Sequence, residues 1–354
     1  MSLTIDETRV EAFVGLIATD VGAALNTALV AIGDRLGLYR AMADAQPVSA
    51  ADLAARTSTQ ERYVREWLNT QAASGYLTYD AATDRYTLPA EHAFVLADES
   101  SPLAMAGMFH AAGAVIDGRA RVEERFRSGG GVGWHEHDDG LFCGTERAFA
   151  ANYRAQLVQA WLPALDGVVE KLERGARVAD VGCGHGASAI LMAQAFPAST
   201  FDGFDTHAAS IDTARRRAAE AGVDDRVRFT LAAAHDYPGE DYDLVCFFDA
   251  LHDMGDPAGA ARHSRAALAA DGTALIVEPY AGDRIEENLN PVGRFYYGMS
   301  TLVCTPGALA QPGGVALGTQ AGEARLTEVL RAGGFTHVRR AAETPLNLIL
   351  EARP

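Results

Sequence analysis

Apolar residues recur at helical spacing through the first segment of the chain. Residues 3–32 carry an apolar side chain at every third or fourth position, which predicts one or two amphipathic helices. The positions are Val10, Phe13, Val14, Ile17, Val21, Leu25, Leu29 and Ile32. Small residues between them, such as Gly22 and Ala28, would allow close helix packing, so this segment is predicted to form a homodimer.

The pattern that follows is typical of a winged helix. Helices are predicted over residues 34–43, from the capping sequence at 49–52 and over 60–74, and two short strands at 76–79 and 85–88 would form the wing. Such a domain suggests DNA binding. However, the segment from Asp44 to Glu99 contains nine acidic residues and four arginines, so the basic surface that a DNA reader needs is missing.

From Arg174 onward the pattern alternates between strand and helix, which predicts a doubly wound α/β domain. Seven strands are predicted, at 176–181, 200–204, 227–232, 242–248, 273–278, 335–342 and 346–352. Helices are predicted near 187–196, 207–221, 257–270 and 322–332. The last two strands are predicted to form an antiparallel hairpin. Residues 101–173 are predicted to be a helical linker interrupted by a glycine-rich loop at 129–140.

The charge and cysteine content limit the partners and the cellular location. The 354 residues include 47 acids and 30 bases, for a formal net charge of −17, which argues against nucleic acid as a partner. Four scattered cysteines, with no recognisable targeting segment and no apolar run of membrane length, predict a reduced cytoplasmic protein without a membrane partner.

The first strand of the α/β domain ends in a glycine-rich turn. Gly182, Gly184 and Ala187 satisfy a dinucleotide-binding pattern, so the glycine spacing alone leaves the ligand open. Asp180 precedes the first glycine by two residues, where a carboxylate is unfavourable beside a pyrophosphate but suits a cationic ligand. The stretch resembles motif I of class I methyltransferases, and the resemblance implies S-adenosylmethionine as cofactor, with Cys183 also contacting it.

An acidic residue ends the second strand. Asp205 lies 19 residues after Gly186, the spacing at which a carboxylate accepts ribose hydroxyls after a nucleotide-binding turn. Alternatively, Asp205 caps the helix that begins near His207. We predict ribose binding by Asp205 and include Thr206 in the cofactor site.

The third strand ends in alanines, where many methyltransferases carry an aspartate that binds the adenine amino group. Here Ala233 takes that place, and a backbone amide at Ala234 is expected to face the adenine. Whether His235 or Asp236 substitutes for the aspartate stays open.

The segment after the fourth strand carries the predicted catalytic residue. Phe248 and Asp249 end this strand, on the side where ligands bind open α/β sheets. The following Leu251-His252-Asp253-Met254 resembles the Leu-His-Asp-Trp segment of plant and bacterial O-methyltransferases, with methionine in place of tryptophan. The resemblance implies that His252 removes the acceptor's proton, although related sequences keep this histidine only to shape the pocket.

The glycine-rich loop is a candidate active-site lid. Its Trp134, His135 or His137 would meet the acceptor, and an exposed polar loop is the simpler alternative. The two histidines and Asp138 could in principle bind a metal, but no second ligand cluster supports this, and no metal is predicted. Tyr153 lies on the following helix and either lines the same pocket or is part of the core.

A long insertion follows the fifth strand, over residues 279–320. The family often places substrate-covering elements there, so Tyr296 and Tyr297 are predicted pocket residues. Packing alone would also explain these aromatic side chains.

The whole chain resembles bacterial winged-helix methyltransferases. The resemblance implies a Rossmann-like domain over 174–354 with seven strands, preceded by a winged-helix domain for dimerisation and substrate capping over 1–100 and a helical linker and lid over 101–173. The predicted function is methyl transfer from S-adenosylmethionine to oxygen or nitrogen of a small molecule. Two alternatives stay open: a DNA-binding regulator that senses the cofactor, and an enzyme on the same fold that does not transfer methyl groups.

Overall fold

The structure is a computed structural model that describes residues 5–354. The predicted start of the first helix at residue 3 therefore lies outside the described residues. The chain divides into two compact units. The first contains the described residues up to Ile116 together with Asp139–Ala151, and the second contains Asp117–Asp138 and Asn152–Pro354. The three domain boundaries predicted from the sequence stay a prediction.

The first unit contains a long helix and a winged helix. Its elements are α1 (Glu7–Arg35), α2 (Ala50–Thr57), α3 (Glu61–Ala73), β1 (Thr78–Asp80), β2 (Arg85–Thr87), α4 (Ala90–Leu96), most of α5 (Ala106–Asp117) and the first part of α7 (Asp139–Gln156). Ser49 caps α2 by accepting the Asp52 backbone N–H at 3.2 Å, as the capping sequence predicts. The wing forms where it was predicted, with Tyr79 opposite Tyr86.

The predicted helix over 34–43 is wrong. Helix α1 continues to Arg35, and only a single 3₁₀ turn, Arg40–Met42, follows it. Gly37 separates the two in a left-handed conformation, with φ at +71°, which a continuous helix does not accommodate. The residues assigned to a separate helix therefore form the end of α1 and a turn.

Helix α1 leaves most of its apolar surface exposed. It is 29 residues long, and Phe13 and Leu25 are 61% and 66% exposed. By length and composition it is long and apolar enough to cross a membrane, with a mean hydropathy of 1.6 and 11% of its apolar window buried. This corrects the expectation that the chain has no apolar run of membrane length. Helical spacing of the apolar residues predicts an amphipathic helix, but it does not show the mean hydropathy of the whole segment.

The second unit is built on a seven-stranded sheet. Its strands are β3 (Arg177–Val181), β4 (Thr200–Asp205), β5 (Val227–Leu231), β6 (Tyr242–Phe248), β7 (Leu268–Pro279), β8 (His337–Glu343) and β9 (Asn347–Arg353). Its helices are α6 (Arg119–Ser128), α8 (Val168–Arg174), α9 (Ala187–Ala195), α10 (Ala208–Glu220), α11 (Pro257–Ala267), α12 (Pro291–Met299), α13 (Thr305–Leu309) and α14 (Gly322–Ala332), together with the last part of α7. All seven predicted strands are confirmed.

The strand order is β5-β4-β3-β6-β7-β9-β8. Strands β5, β4, β3, β6 and β7 are parallel, and β9 pairs antiparallel with both β7 and β8, which confirms the predicted hairpin. The chain winds outward from β3 in one direction and from β6 in the other. The crevice at the carboxyl ends of β3 and β6 is therefore the switch point at which ligands bind in open α/β sheets.

Candidate functional site

Positive backbone φ angles at three glycines shape the turn after β3. Gly182, Gly184 and Gly186 all adopt positive φ, at +78°, +51° and +80°. The backbone N–H groups of Gly182 and Cys183 both donate to the carbonyl of Phe204 on β4, at 2.8 and 3.0 Å. A Cβ added at Gly184 would meet nothing within 4 Å, so the turn has open space beside it. A backbone that approaches a ligand closely requires this arrangement.

Asp180 is buried at the end of β3, with 1% of its surface exposed. Its Oδ2 accepts a hydrogen bond from the Ser188 hydroxyl on α9, but its Oδ1 has no partner among the described residues. Burial raises the pKa of this carboxyl to about 7, and the nearby charge of Asp205 adds to the rise. A buried carboxyl with one unsatisfied oxygen is suited to a ligand that brings a donor or a positive charge.

Asp205 joins the glycine turn to the end of β4. Its Oδ2 accepts the Gly184 N–H at 2.9 Å, and its Oδ1 accepts the His207 N–H at 2.8 Å. His207 is the N-cap residue of α10, so Asp205 fixes the residue at which this helix begins but is not itself its N-cap. Each carboxylate oxygen retains a further lone pair, so ribose binding stays compatible with these contacts. Burial raises the pKa of Asp205, opposed by the two backbone hydrogen bonds.

The segment after β5 forms the third side of the predicted cofactor site. The N–H of Ala233 donates to Asp236 Oδ1 at 3.2 Å, so Asp236 caps this turn. Ala233 and Ala234 are half-buried beside it, and Thr206 follows β4 on the neighbouring strand end. The position of Ala234 is consistent with the expected adenine contact, which stays a prediction.

The end of β6 carries a network of polar side chains. Asp249 adopts φ of +51°, and its carboxylate accepts hydrogen bonds from the Tyr153 hydroxyl at 3.3 Å and from Asn347 Nδ2 at 3.2 Å. Asn152 Nδ2 in turn donates to Asn347 Oδ1 at 2.7 Å. The ring of Tyr153 lies 5.5 Å from that of Phe248. Tyr153 is thus a core aromatic that also presents its hydroxyl to the site.

The predicted catalytic histidine lies in a 3₁₀ turn, Leu251–Asp253, directly after the strand. Its Nδ1 contacts the carboxylate of Glu278 on β7, and its Nε2 lies 3.2 Å from Asp253 Oδ1. Burial lowers the pKa of His252, but the two carboxylates outweigh it, and the pKa lies well above 6.5. Both ring nitrogens therefore face acids, and the ring favours its protonated form.

A third group approaches the same histidine. Cys304, in a π-helical turn over Ser300–Cys304, lies near His252 and Asp253, and one ligand atom from each of the three residues lies within 4.8 Å of the others. A metal ion would find suitable ligand types here. Glu278 satisfies Nδ1, and the charges of Glu278 and Asp253 stabilise the protonated ring, so the cluster is accounted for as a buried ion pair.

The glycine-rich loop packs against the insertion. Val132 is buried, and its N–H donates to the Pro306 carbonyl at 3.0 Å. A Cβ on Gly131 would lie 2.1 Å from the backbone nitrogen of Ala310. The middle of the loop is therefore anchored, which argues against a simple exposed loop.

The three predicted loop residues differ in their surroundings. Trp134 and His137 have ring centroids 6.0 Å apart, whereas His135 is exposed. Burial lowers the pKa of His137, an effect that the charge of Asp253 opposes, and its Nε2 is buried without a hydrogen-bond partner among residues 5–354. The structure thus brings His137 toward the histidine turn and leaves His135 at the surface.

The two predicted tyrosines of the insertion also differ. Tyr296 is buried on α12, and its hydroxyl donates to the Leu346 carbonyl at 2.8 Å, so it holds the insertion against the β8–β9 hairpin. Tyr297 is half-buried. The packing explanation accounts for Tyr296.

Three site residues were not recognised from the sequence: Ser188, Glu278 and Asn347. The sequence pattern could have identified Glu278, since it follows four apolar residues in β7 and a buried charge in such a strand requires a partner. No pattern marks Ser188 or Asn347, because short polar residues are common near the ends of helices and strands.

Two family models match the chain. The Rv2258c-like winged HTH domain matches residues 23–98, and a methyltransferase domain matches residues 172–333. The 27-O-demethylrifamycin SV methyltransferase of Amycolatopsis mediterranei is 32% identical over 131 residues, covering 35% of this chain and 48% of that protein. The matched part spans less than half the length of the curated relatives.

Solved structures share the fold over almost the whole chain. Mitomycin 7-O-methyltransferase aligns over 99% of this chain and 100% of its own, with a TM-score of 0.70 and 18% identity. Human N-acetylserotonin methyltransferase, solved with S-adenosylmethionine, aligns over 100% and 99% with a TM-score of 0.68 and 16% identity. The two family models and the sheet order agree: the chain carries a winged-helix domain followed by a methyltransferase domain.

Proposed function

We propose that the chain transfers a methyl group from S-adenosylmethionine to a small-molecule acceptor, at oxygen in preference to nitrogen. The observation that carries the proposal is the turn after β3: Asp180 before it has a buried carboxyl oxygen without a partner among the described residues, and a Cβ at Gly184 within it would stand in open space. The preference for oxygen rests on the relatives, since the fatty-acid enzyme of Mycolicibacterium smegmatis and the mitomycin enzyme are both named as O-methyltransferases.

The residues of the site fit the proposed cofactor. When bound, S-adenosylmethionine supplies a methyl group activated by a positively charged sulfur. Asp180 would offer its free oxygen to the cationic amino-acid part, and Asp205 would accept the ribose hydroxyls. Because burial raises the pKa of Asp180 to about 7, a cationic ligand should bind more tightly at pH 8 than at pH 6.

The sequence predicts His252 as the base, but the two acids beside it raise its pKa and favour the protonated ring. Glu278 fixes its ring by contacting Nδ1 and by accepting the Leu251 N–H at 2.9 Å. To take a proton from an acceptor, Nε2 would have to exchange its contact with Asp253 for one with the acceptor. A histidine oriented by a carboxylate is suited to general base catalysis once its own proton has left.

The direct test is product analysis. Purified protein is incubated with S-adenosylmethionine labelled in the methyl group and with a panel of phenols, alcohols and amines, and S-adenosylhomocysteine and labelled product are measured by mass spectrometry. We expect both to form in equal amounts, and His252→Ala to lower turnover by roughly 100-fold. Product without S-adenosylhomocysteine would instead indicate an enzyme that does not transfer methyl groups.

We also propose that the protein works as a cytoplasmic homodimer joined through α1. Its exposed apolar positions, including Val14, Val21 and Leu25, recur at helical spacing. An apolar stripe of this kind is typical of a helix that packs against another helix.

A further inference from the structure

Asp249 lies beside the glycine turn, although 67 residues separate it from Gly182 in the sequence. Strands β3 and β6 are neighbours, with Asp180 opposite Cys246. A Cβ added at Gly182 would lie 2.6 Å from the Cβ of Ala250, the residue after Asp249. The carboxylate therefore belongs to the switch-point crevice, next to the backbone that is proposed to hold the cofactor.

The position of this carboxylate is fixed by several other elements. Tyr153 and Asn347 each donate a hydrogen bond to one of its oxygens, and both donors are buried. The backbone of Asp249 adopts φ of +51°, which non-glycine residues reach at an energetic cost, while its N–H keeps a 2.7 Å bond to Val277. Strained backbone held by its surroundings is concentrated at functional sites.

The surroundings of Asp249 are dominated by acids. Glu278 on β7 and Asp253 in the histidine turn raise its pKa, and burial is the largest cause of the rise, to about 7. His252 and the Tyr153 hydroxyl oppose the rise, and Asp249 in turn acts on Tyr296 of the insertion. The carboxylate is thus half ionised near neutral pH, where proton acceptance is most effective.

We propose that Asp249 is a catalytic residue that binds the acceptor's reacting O–H or N–H group and takes its proton in place of His252. The ring of His252 is already protonated. This inference rests on the proposed function. The acceptor atom forms its bond to the methyl carbon with a lone pair, and the carbon–sulfur bond breaks with its electron pair staying on sulfur. The proton passes to the Asp249 carboxylate, and its former bonding pair stays on the acceptor atom.

The same arrangement limits the acceptor class. The ionised Asp249 carboxylate would repel a carboxylate or phosphate brought to this position. The acceptor is therefore a neutral or cationic molecule that donates a hydrogen bond from its reacting atom, such as a phenol, an alcohol or an amine.

The test compares two cofactor analogues by calorimetry, without requiring the acceptor. Sinefungin carries an amine-bearing carbon in place of the methylated sulfur, whereas S-adenosylhomocysteine carries neither the methyl nor the charge there. We expect the affinity ratio of sinefungin to S-adenosylhomocysteine to rise roughly tenfold from pH 6 to pH 8, as Asp249 ionises and can form a charge-assisted hydrogen bond. Asp249→Asn should abolish this rise.

A matched variant separates this site from the rest of the cofactor site. Asp205→Asn should weaken the binding of both analogues by the same factor, because both carry the same ribose. The ratio of their affinities should therefore stay unchanged. If Asp249→Asn does not fold, Tyr153→Phe serves instead. Removing one hydrogen bond to the carboxylate should raise the pKa of Asp249 and move the rise in the ratio to higher pH.

The possible outcomes distinguish the two proposals. Loss of the pH-dependent ratio in Asp249→Asn, with S-adenosylhomocysteine affinity retained, supports Asp249 as the acceptor-facing group. If the affinity ratio still rises with pH in Asp249→Asn, or rises over the same pH range in Tyr153→Phe as in wild type, the role of Asp249 is overturned. The proposal of methyl transfer is then unaffected. A wild-type protein that binds neither analogue overturns both proposals.

Discussion

Glu278 and His252 form a buried pair that connects two adjacent strands of the sheet. Glu278 lies near the end of β7, and one of its oxygens contacts His252 Nδ1 while the other accepts the backbone N–H of Leu251 at 2.9 Å. The turn after β6 is therefore fixed by a residue 26 positions later in the chain. Asp253 completes the surroundings of the ring on the other side.

This pairing makes His252 a stability determinant as well as a candidate base. We predict that His252→Gln lowers the free energy of unfolding by about 3 kcal/mol at pH 7, because two buried carboxylates lose their cationic partner. The contribution of His252 to the free energy of unfolding should be fully present below pH 6.5, the ordinary pKa of histidine. This contribution should disappear as the pH rises through the raised pKa of His252 in the folded protein.

Urea denaturation of both proteins between pH 6.5 and 9.5 measures this effect. His337→Gln provides the control, because His337 is exposed and its replacement should change stability by less than about 0.5 kcal/mol. If the difference in unfolding free energy between wild type and His252→Gln grew with pH, the ring would not be held protonated.

Gly184 offers a test of the open space in the turn. Gly184 and Gly222 both adopt positive φ, and an added Cβ would meet nothing within 4 Å at either. Alanine at each position should therefore lower stability similarly, by about 1 kcal/mol. Only Gly184→Ala should also weaken S-adenosylhomocysteine binding, because its methyl group would occupy the proposed cofactor space. Equal calorimetric affinities for the two variants would place the cofactor elsewhere.

The winged helix is expected not to bind DNA. All four arginines between Asp44 and Glu99 form ion pairs with acids of the same unit, and the pairs are Arg56–Asp44, Arg62–Glu66, Arg65 with Glu61 and Asp84, and Arg85–Asp52. With their charges neutralised, few phosphate contacts remain to support binding. We predict no shift of duplex DNA in a gel assay at micromolar protein and 150 mM salt. A salt-dependent shift under these conditions would favour the regulator interpretation.

The exposed face of α1 predicts a dimer that a single charge disrupts. Phe13→Asp should convert the dimer to a monomer in size-exclusion chromatography with light scattering, because a carboxylate would be buried at the contact. Phe126→Asp is the matched control, since Phe126 is 75% exposed on α6 and should leave the mass unchanged. A monomeric wild type would refute the dimer, and flotation of wild type with lipid vesicles would point to a membrane as the partner of α1.

The strands and the turn were predictable from the sequence because their signals are local. Alternating elements and the glycines around Asp180 identified the seven strands and the motif within a few residues. Pairings between distant side chains were not predictable, as shown by Glu278 with His252 and by Asn347 with Asp249, 98 residues apart. Periodicity contains no information about which polar residues of different strands meet.

The boundary between α1 and the winged helix shows a second limit. The pattern changes at Asp34 to one typical of a winged helix, which predicts the first helix of that domain from this residue. In the structure it is the penultimate residue of α1 and is buried, with its carboxylate paired to Arg147 and His110. The tertiary partners decide its role, and they lie more than 70 residues away.

The most direct test of the account is calorimetric binding of S-adenosylmethionine to wild type and to Asp205→Ala. The account predicts that wild type binds one cofactor per chain, more tightly at pH 8 than at pH 6. Asp205→Ala should bind at least tenfold more weakly, equivalent to about 1.4 kcal/mol. Unchanged affinity in Asp205→Ala, or no binding by wild type, would contradict the assignment of the turn after β3 and the end of β4 as the cofactor site.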